Sequence, residues 1–374
     1  MSMLLQEERN CAFVLMPEMV AFLESASLLE LEQGESQLLA RQFRAFGQPG
    51  LTVTKALGGG GASAVEMAQL QTWVGAHCPS LAMMMTMHHH TVAGMMAGMQ
   101  FFPDIQGLLT TVAREKLLVA SGFSEGRTQT PILESRMAVK KHAEGYVVNG
   151  SKKPCTMTHH FDAITFGVNY VDPEGRSHVG IGMGFADDPG IERKTFWSVP
   201  YLQAADSHEV VFNNLFVPEA MMCFSTAVDD QLEDAQHGMG NNLCAIWFQL
   251  LASASYLGMA SALATRALSG HKGSQDDRAM LLIDLQGATM ALRGLAASID
   301  EQRFSHADLA RAQATRFCVQ EAVNRIASRS FDILGGMTFM SSEEVAYLLV
   351  VTRLLAFHPT SRLASTAFLC EQLS

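Results

Sequence analysis

The chain has 374 residues, 48% of them apolar and 17% charged, with a formal net charge of −11. That apolar share describes a protein with much internal surface and excludes a disordered chain, and the length suffices for two or three packed units. The acidic balance, with no run of Lys and Arg, excludes a nucleic-acid binder, because phosphate recognition needs a concentrated basic face. A local basic mouth for a phosphate-bearing substrate remains compatible with it.

Residues 1 to about 115 read as helices. Residues 22–46 mix Leu, Glu and Gln at helical spacing, and residues 64–100 are rich in Ala and Met with apolar residues on most faces. Gly58, Gly59, Gly60 and Gly61 break the chain between them, as in a loop that turns freely or meets another backbone closely. A phosphate cradle is disfavoured there because no Gly-Lys-Ser/Thr follows. From about Leu118 to Pro218 the period changes to short β-branched runs punctuated by Asn149-Gly150, Asp172-Pro173 and Asp188-Pro189-Gly190, which predicts an antiparallel β-domain. Helical spacing then returns over 245–268, 279–303, 308–334 and 342–357, with Gly335 and Gly336 stopping the third helix and Pro359 the fourth. No βαβ alternation occurs, which argues against a dinucleotide-binding Rossmann fold.

The seven cysteines (Cys11, Cys78, Cys155, Cys223, Cys244, Cys318, Cys370) are scattered, odd in number and lack a C-x-x-C pair, as expected of reduced thiols. Glu7 and Glu8 precede any apolar stretch, which makes a poor signal peptide, and the apolar segment around Met83–Met87 is too short to span a bilayer. A soluble cytoplasmic protein, with no membrane or nucleic-acid partner, is the expectation. His88, His89 and His90 on one helix point about 100° apart and cannot share one metal ion, so core or pocket packing is expected and no metal site is predicted. His159 and His160 are candidates for a site mouth, though on a strand only one of them faces it. The 23 methionines suit a plastic interior or a lipophilic channel.

Several local motifs resemble the acyl-CoA dehydrogenase superfamily over nearly the whole chain. Ser80-Leu-Ala-Met and Met87-His-His-His are similar to the helix ending that family's first domain. Gly122-Phe123-Ser124-Glu125 takes the place of its Leu-Thr-Glu loop, and the stretch from Asn149 through Pro154 and Thr156 resembles its Asn-Gly-x-Lys-x-Trp-Ile-Thr. Asp206-Ser-His-Glu-Val-Val-Phe and Val217-Pro218 resemble its closing strand, and Asp332-Ile-Leu-Gly335-Gly336 its Gln-x-x-Gly-Gly turn. Ala356 to Ser361 looks like its Tyr-Glu-Gly-Thr-Ser segment, with His358 in place of the glutamate and Thr360 keeping the threonine.

The resemblance implies an α+β fold: an N-terminal helical domain (1–117), a central antiparallel β-barrel (118–222) and a C-terminal four-helix bundle (223–374). It implies FAD, with FMN open, held by Phe123, Ser124, Pro154, Thr156, Gly335, Gly336 and Thr360, the glycine pair acting against a neighbouring subunit of a homodimer or homotetramer. Hydroxyls at Ser124 and Thr156 can bond a flavin without adding charge. Pro154 replaces the tryptophan that covers the flavin in the family. The departures matter as much. One family position for the catalytic glutamate is His358; the other falls near Phe248, which has no proton to exchange. The arginine-phenylalanine motif that grips the FAD pyrophosphate is replaced by residues 270–275.

An imidazole near a flavin can accept or donate a proton at neutral pH. His358 is therefore the candidate catalytic residue, with three open roles. It is the base for α,β-dehydrogenation of an acyl thioester on CoA or a carrier protein, with an electron acceptor to follow. Alternatively it is the proton carrier of a monooxygenase that uses reduced flavin from a reductase and oxygen, or a helix cap in a relative without catalysis.

Overall fold

The structure, a computed structural model, describes residues 3–46, 48–99, 104–126, 135–224, 234–270 and 272–374. Among them, helices α1 (Gln6–Leu15), α2 (Pro17–Glu24), α3 (Leu28–Glu32), α4 (Ser36–Phe46), α5 (Ala64–His77), α6 (Pro79–Gly98) and α7 (Ile105–Glu115) come first. The run expected as one helix over 22–46 is three pieces. Ser27 and Glu30 form a reciprocal capping box that starts α3 afresh, and Ser36 opens α4. A second capping box, Ser63 with Glu66, starts α5, and Pro79 at the first turn of α6 separates that helix from α5.

The four glycines 58–61 are consumed by their own backbone. The N–H groups of Gly59, Gly60 and Gly61 donate to the carbonyls of Thr54, Gly50 and Val53 at 3.1, 3.0 and 2.8 Å. A Cβ on Gly59 would lie 2.2 Å from the Val53 carbonyl oxygen, so close backbone approach is what requires glycine here. These amides are not available to a phosphate.

Eight strands follow among the described residues: β1 (Val119–Gly122), β2 (Ala138–His142), β3 (Gly145–Cys155), β4 (Ala163–Val171), β5 (Ser177–Phe185), β6 (Ile191–Lys194), β7 (His208–Pro218) and β8 (Met222–Phe224). They form two four-stranded sheets, ordered β1-β4-β5-β8 and β2-β3-β7-β6. The expected closed antiparallel barrel is corrected on two counts. β1 pairs β4 in parallel, Val119 opposite Ala163, and among the described residues the two sheets meet only through an isolated Glu125–Lys153 bridge. A barrel needs a continuous ladder, whereas here the sheets face each other across a core of Val148, Ile164, Phe166, Val168, Val210 and Phe212.

The C-terminal region holds three long helices, α8 (Asp234–Ser269), α9 (Gln275–Asp300) and α10 (His306–Leu334), then short ones: α11 (Gly336–Ser341), α12 (Glu343–Val351), a 3-10 turn Thr352–Phe357 and α13 (Arg362–Leu373). Three of the four long helices expected for the bundle are present among the described residues, and the fourth is in pieces. Gly335, at φ +77°, ends α10, and the segment 342–357 divides into α12 and the 3-10 turn. One flank of α8 is covered by α5 and α6 from the first region instead. The approach of α5 to α8 is very close: a Cβ on Gly75 would lie 2.2 Å from the Ser255 carbonyl oxygen, and one on Gly258 2.0 Å from that of Thr72. Within α8, Asn242–Ser269 is the one helical segment among the described residues long and apolar enough to cross a membrane, and 89% of its apolar window is buried in the protein. It reads as the central core helix. All seven cysteines are free thiols.

Candidate active site

A cavity of about 520 Å³ lies between the sheets and helices α6, α8 and α10, closed by the segment after the last 3-10 turn. Its β side presents Ser121, Phe123, Ser124, Pro154, Thr156 and Ser207. The Lys153 N–H donates to the Ser124 carbonyl at 2.8 Å, pinning the loop after β1 against β3. Thr156 Oγ1 and Ser207 Oγ share a hydrogen bond of 3.1 Å. The Ser124 hydroxyl has no partner among the described residues, so it is available to a ligand.

Behind Ser207, Asp206 takes a left-handed backbone (φ +54°), and its carboxylate accepts from His159 N at 2.6 Å and from His159 Nδ1 at 2.8 Å. His159 and His160 lie on a turn rather than a strand, and neither lines the cavity; His160 Nε2 meets Ser36 Oγ at 2.8 Å. His159, Asp206 and His208 bring three ligand atoms within 4.8 Å of one another. The N–H groups of Phe196 and Trp197 donate to His208 Nδ1 at 3.1 and 3.2 Å, which assigns the ring proton to Nε2. That protonated nitrogen faces Asp206 Oδ1 at 3.7 Å and offers no lone pair to a metal.

The helical side is built from residues far apart in sequence. α8 contributes Ala245, Phe248, Gln249 and Tyr256, which fall on one face at helical spacing, and α10 contributes Leu309 and Gln313. Pro359 disfavours helix at the residue before it, and His358 is extended (φ −72°, ψ 140°), so its ring leaves the 3-10 axis. His358 Nε2 meets the Tyr256 hydroxyl at 2.9 Å, and the Phe248 ring packs edge-on against it with centroids 5.7 Å apart. The imidazole bonds a phenol, not orphan helix carbonyls, so its side chain is no cap.

Arg316 is fully buried on α10 and donates to the carbonyls of Leu355, at 3.5 Å, and Thr360, gripping both flanks of His358. Burial lowers Arg316 to about 10. It pushes His358 down to about 4, with the Arg316 cation acting in the same direction. His90, bonded through Nε2 to Ser121 Oγ at 3.1 Å, is also lowered to about 4 by burial. Both imidazoles in the cavity are thus neutral at pH 7. Among the described residues, no Asp, Glu, Lys or Arg lines it.

Of the residues singled out from the sequence, His358, Phe123, Ser124, Pro154, Thr156 and Thr360 line this one cavity, and so does Phe248. Gly335 and Gly336 do not; they sit at the α10–α11 junction, where an added Cβ on either would meet nothing within 4 Å. His88 is a core residue, joining the Pro49 carbonyl at 2.8 Å to the Val119 N–H at 2.9 Å, and His271 lies outside the described residues. Sequence reasoning missed Gln249, Tyr256, Gln313, Arg316 and Ser207. For the first two a signal existed: four and eleven residues beyond Ala245, where the helix was expected to start, they fall on its face.

No family model matches the chain. It is 36% identical to the isobutylamine N-hydroxylase of Streptomyces viridifaciens over 375 positions, covering 99% of this chain and 98% of that protein. Its fold matches the nitrososynthase from Micromonospora carbonacea var. africana with a TM-score of 0.82 at 16% identity, over 100% of this chain and 98% of that one. It matches butyryl-CoA dehydrogenase from Megasphaera elsdenii with a TM-score of 0.80 at 15% identity and the same coverage. Structures of the same shape exist for PigA with FAD and KijD3 with FMN, at TM-scores of 0.77 and 0.78. At 14–16% identity these structures speak to fold alone. The chain belongs to the acyl-CoA dehydrogenase-like superfamily of flavin enzymes. Within it, the full-length sequence likeness is to an N-hydroxylase.

Proposed function

We propose that the protein is a flavin-dependent monooxygenase that hydroxylates the nitrogen of a small primary amine, using reduced FAD delivered by a reductase. One observation carries this reading: among the described residues the cavity holds no carboxylate, and the imidazole in the glutamate's place is bonded through Nε2 to the Tyr256 hydroxyl. Removing the α-proton of a thioester needs a base with its lone pair free toward the substrate, and the His358 Nε2 is already engaged with the Tyr256 hydroxyl. Hydroxylation of an amine asks less of the chain, because the nitrogen lone pair is itself the nucleophile. The full-length likeness to an amine N-hydroxylase supports the same choice over α,β-dehydrogenation.

The residues present fit a flavin. Ser124 offers an unpartnered hydroxyl, the Thr156–Ser207 pair offers a second uncharged bonding group, and Phe123, Pro154 and Thr360 complete that side. When bound, the flavin supplies the electrons that activate oxygen. One amine, one dioxygen and one two-electron-reduced flavin give one hydroxylamine, one water and one oxidised flavin. The chain's own part is to position the amine, exclude water with its apolar lining and carry a proton through the His358–Tyr256 pair. Gly335 and Gly336, outside the cavity, are assigned to the adenylate of a neighbouring subunit's FAD in a cytoplasmic homodimer or homotetramer.

The test is product analysis. Protein, reduced flavin, isotopically labelled oxygen and a panel of short primary amines should give a hydroxylamine carrying one labelled oxygen atom. Oxygen consumption that yields only peroxide, with every amine recovered unchanged, rejects the reading.

A further inference from the structure

We infer that the cavity takes its amine as the uncharged free base, and that the side-chain amides of Gln249 and Gln313 receive the nitrogen. The inference rests on the N-hydroxylase reading and names the form of substrate that the site selects. Gln249 and Gln313 are 3% and 7% exposed and line the cavity from the adjacent helices α8 and α10. Neither amide makes a hydrogen bond to any described residue; each Oε1 is buried without a partner, and a half-turn of each amide, which exchanges O and N at constant shape, presents its carbonyl to the cavity. Two unbonded buried amides in one cavity are costly unless a ligand or water satisfies them.

The chemistry of the surroundings selects the ligand. An alkylammonium ion, with a pKa near lysine's value of about 10.4, is the dominant form of an amine at neutral pH. Moving that cation into an apolar cavity is strongly unfavourable without a paired anion. Among the described residues no carboxylate faces the space, and the neutral His90 and His358 cannot serve as counterions. On α10, Arg316, three residues beyond Gln313, is fully buried and without a carboxylate partner among the described residues, whereas Arg311 is paired with Asp308; the unpaired Arg316 repels a second cation. A primary amine has two N–H donors and one lone pair. Two amide carbonyls take the two donors and leave the lone pair free, whereas an ammonium ion has no lone pair to use. The same contacts therefore recognise the substrate and keep its nitrogen reactive.

Calorimetric titration of the flavin-loaded, oxidised protein with isobutylamine between pH 7 and pH 9 tests this without turnover; isobutanol serves as the neutral isostere and isobutyltrimethylammonium as the permanent cation. Amine affinity should rise about tenfold per pH unit, following the free-base fraction, while isobutanol binding stays flat and the permanent cation does not bind. Gln249→Leu and Gln313→Leu should each weaken amine binding at least about tenfold without lowering the melting temperature, since each removes an unsatisfied polar group. Amine binding that is independent of pH, or Leu variants that bind as well as the parent, overturns the inference. If hydroxylamine still forms in that case, the N-hydroxylase reading survives; if no amine is hydroxylated, that reading fails on its own test.

Discussion

The two walls of the cavity are made differently. The β wall draws Phe123, Ser124, Pro154 and Thr156 from two compact stretches next to β1 and β3, and its loops are tied down by the Lys153–Ser124 backbone bond and the Asp206–His159 contacts. The helical wall gathers Gln249 and Tyr256 from α8, Gln313 from α10 and His358 from the C-terminal segment. Every departure at a family glutamate position, Phe248 and His358 alike, falls on that second wall. The residues that resemble the family's flavin side stand on one wall, and the departures at its glutamate positions stand on the other.

Substitutions on the two walls should separate rate from cofactor binding. His358→Ala should lower product formation per bound flavin by about 10²–10⁴-fold, the range of a lost proton carrier, with flavin occupancy unchanged in the absorbance spectrum. Equal loss of flavin and rate would erase the distinction between the walls. Acid should next unsettle the helical side, where His88 and His90 are held near 4, below the unfolded value of about 6.5. As pH falls the unfolded chain takes up these protons first. Stability is therefore complete above about 6.5 and declines toward about 4, at about 1.4 kcal/mol per pH unit for each histidine. Urea midpoints at stepped pH values read this directly.

Gly258→Ala, behind the helical wall, should cost about 3 kcal/mol by forcing α8 off the Thr72 carbonyl. Gly107→Ala on α7, where an added Cβ meets nothing within 4 Å, should instead gain about 0.5–1 kcal/mol. An effect of similar size belongs to the β wall. Ser124→Ala should weaken flavin affinity by about 0.5–1.5 kcal/mol, read by fluorescence titration, and leave the rate per bound flavin unchanged.

Much of the β wall was legible because its residues are neighbours in sequence. The stretch from Asn149 to Thr156 forms one strand and its end, so a motif match there is a match in space. His358 was legible through the short segment around it, and its proline explains why the ring leaves the helix axis. Its setting was not. Tyr256 lies 102 residues away on another helix, and Arg316 reaches the Leu355 and Thr360 carbonyls across 39 and 44 residues. The closed barrel failed because strand patterning reports alternation, not whether the last ladder between β1 and β3 forms. The fourth bundle helix is divided into α12 and a 3-10 turn, and α5 and α6 cover a flank of α8, tertiary choices that local periodicity does not carry.

Anaerobic titration of the oxidised flavoprotein with a panel of acyl thioesters, followed by flavin absorbance, bears most directly on the claim that the helical wall has lost its base. The absorbance should persist with every thioester, because the carboxylate of the family is gone from the cavity and the His358 Nε2 in its place is engaged with the Tyr256 hydroxyl. Rapid bleaching by any one of them would contradict the account and return the protein to dehydrogenase chemistry.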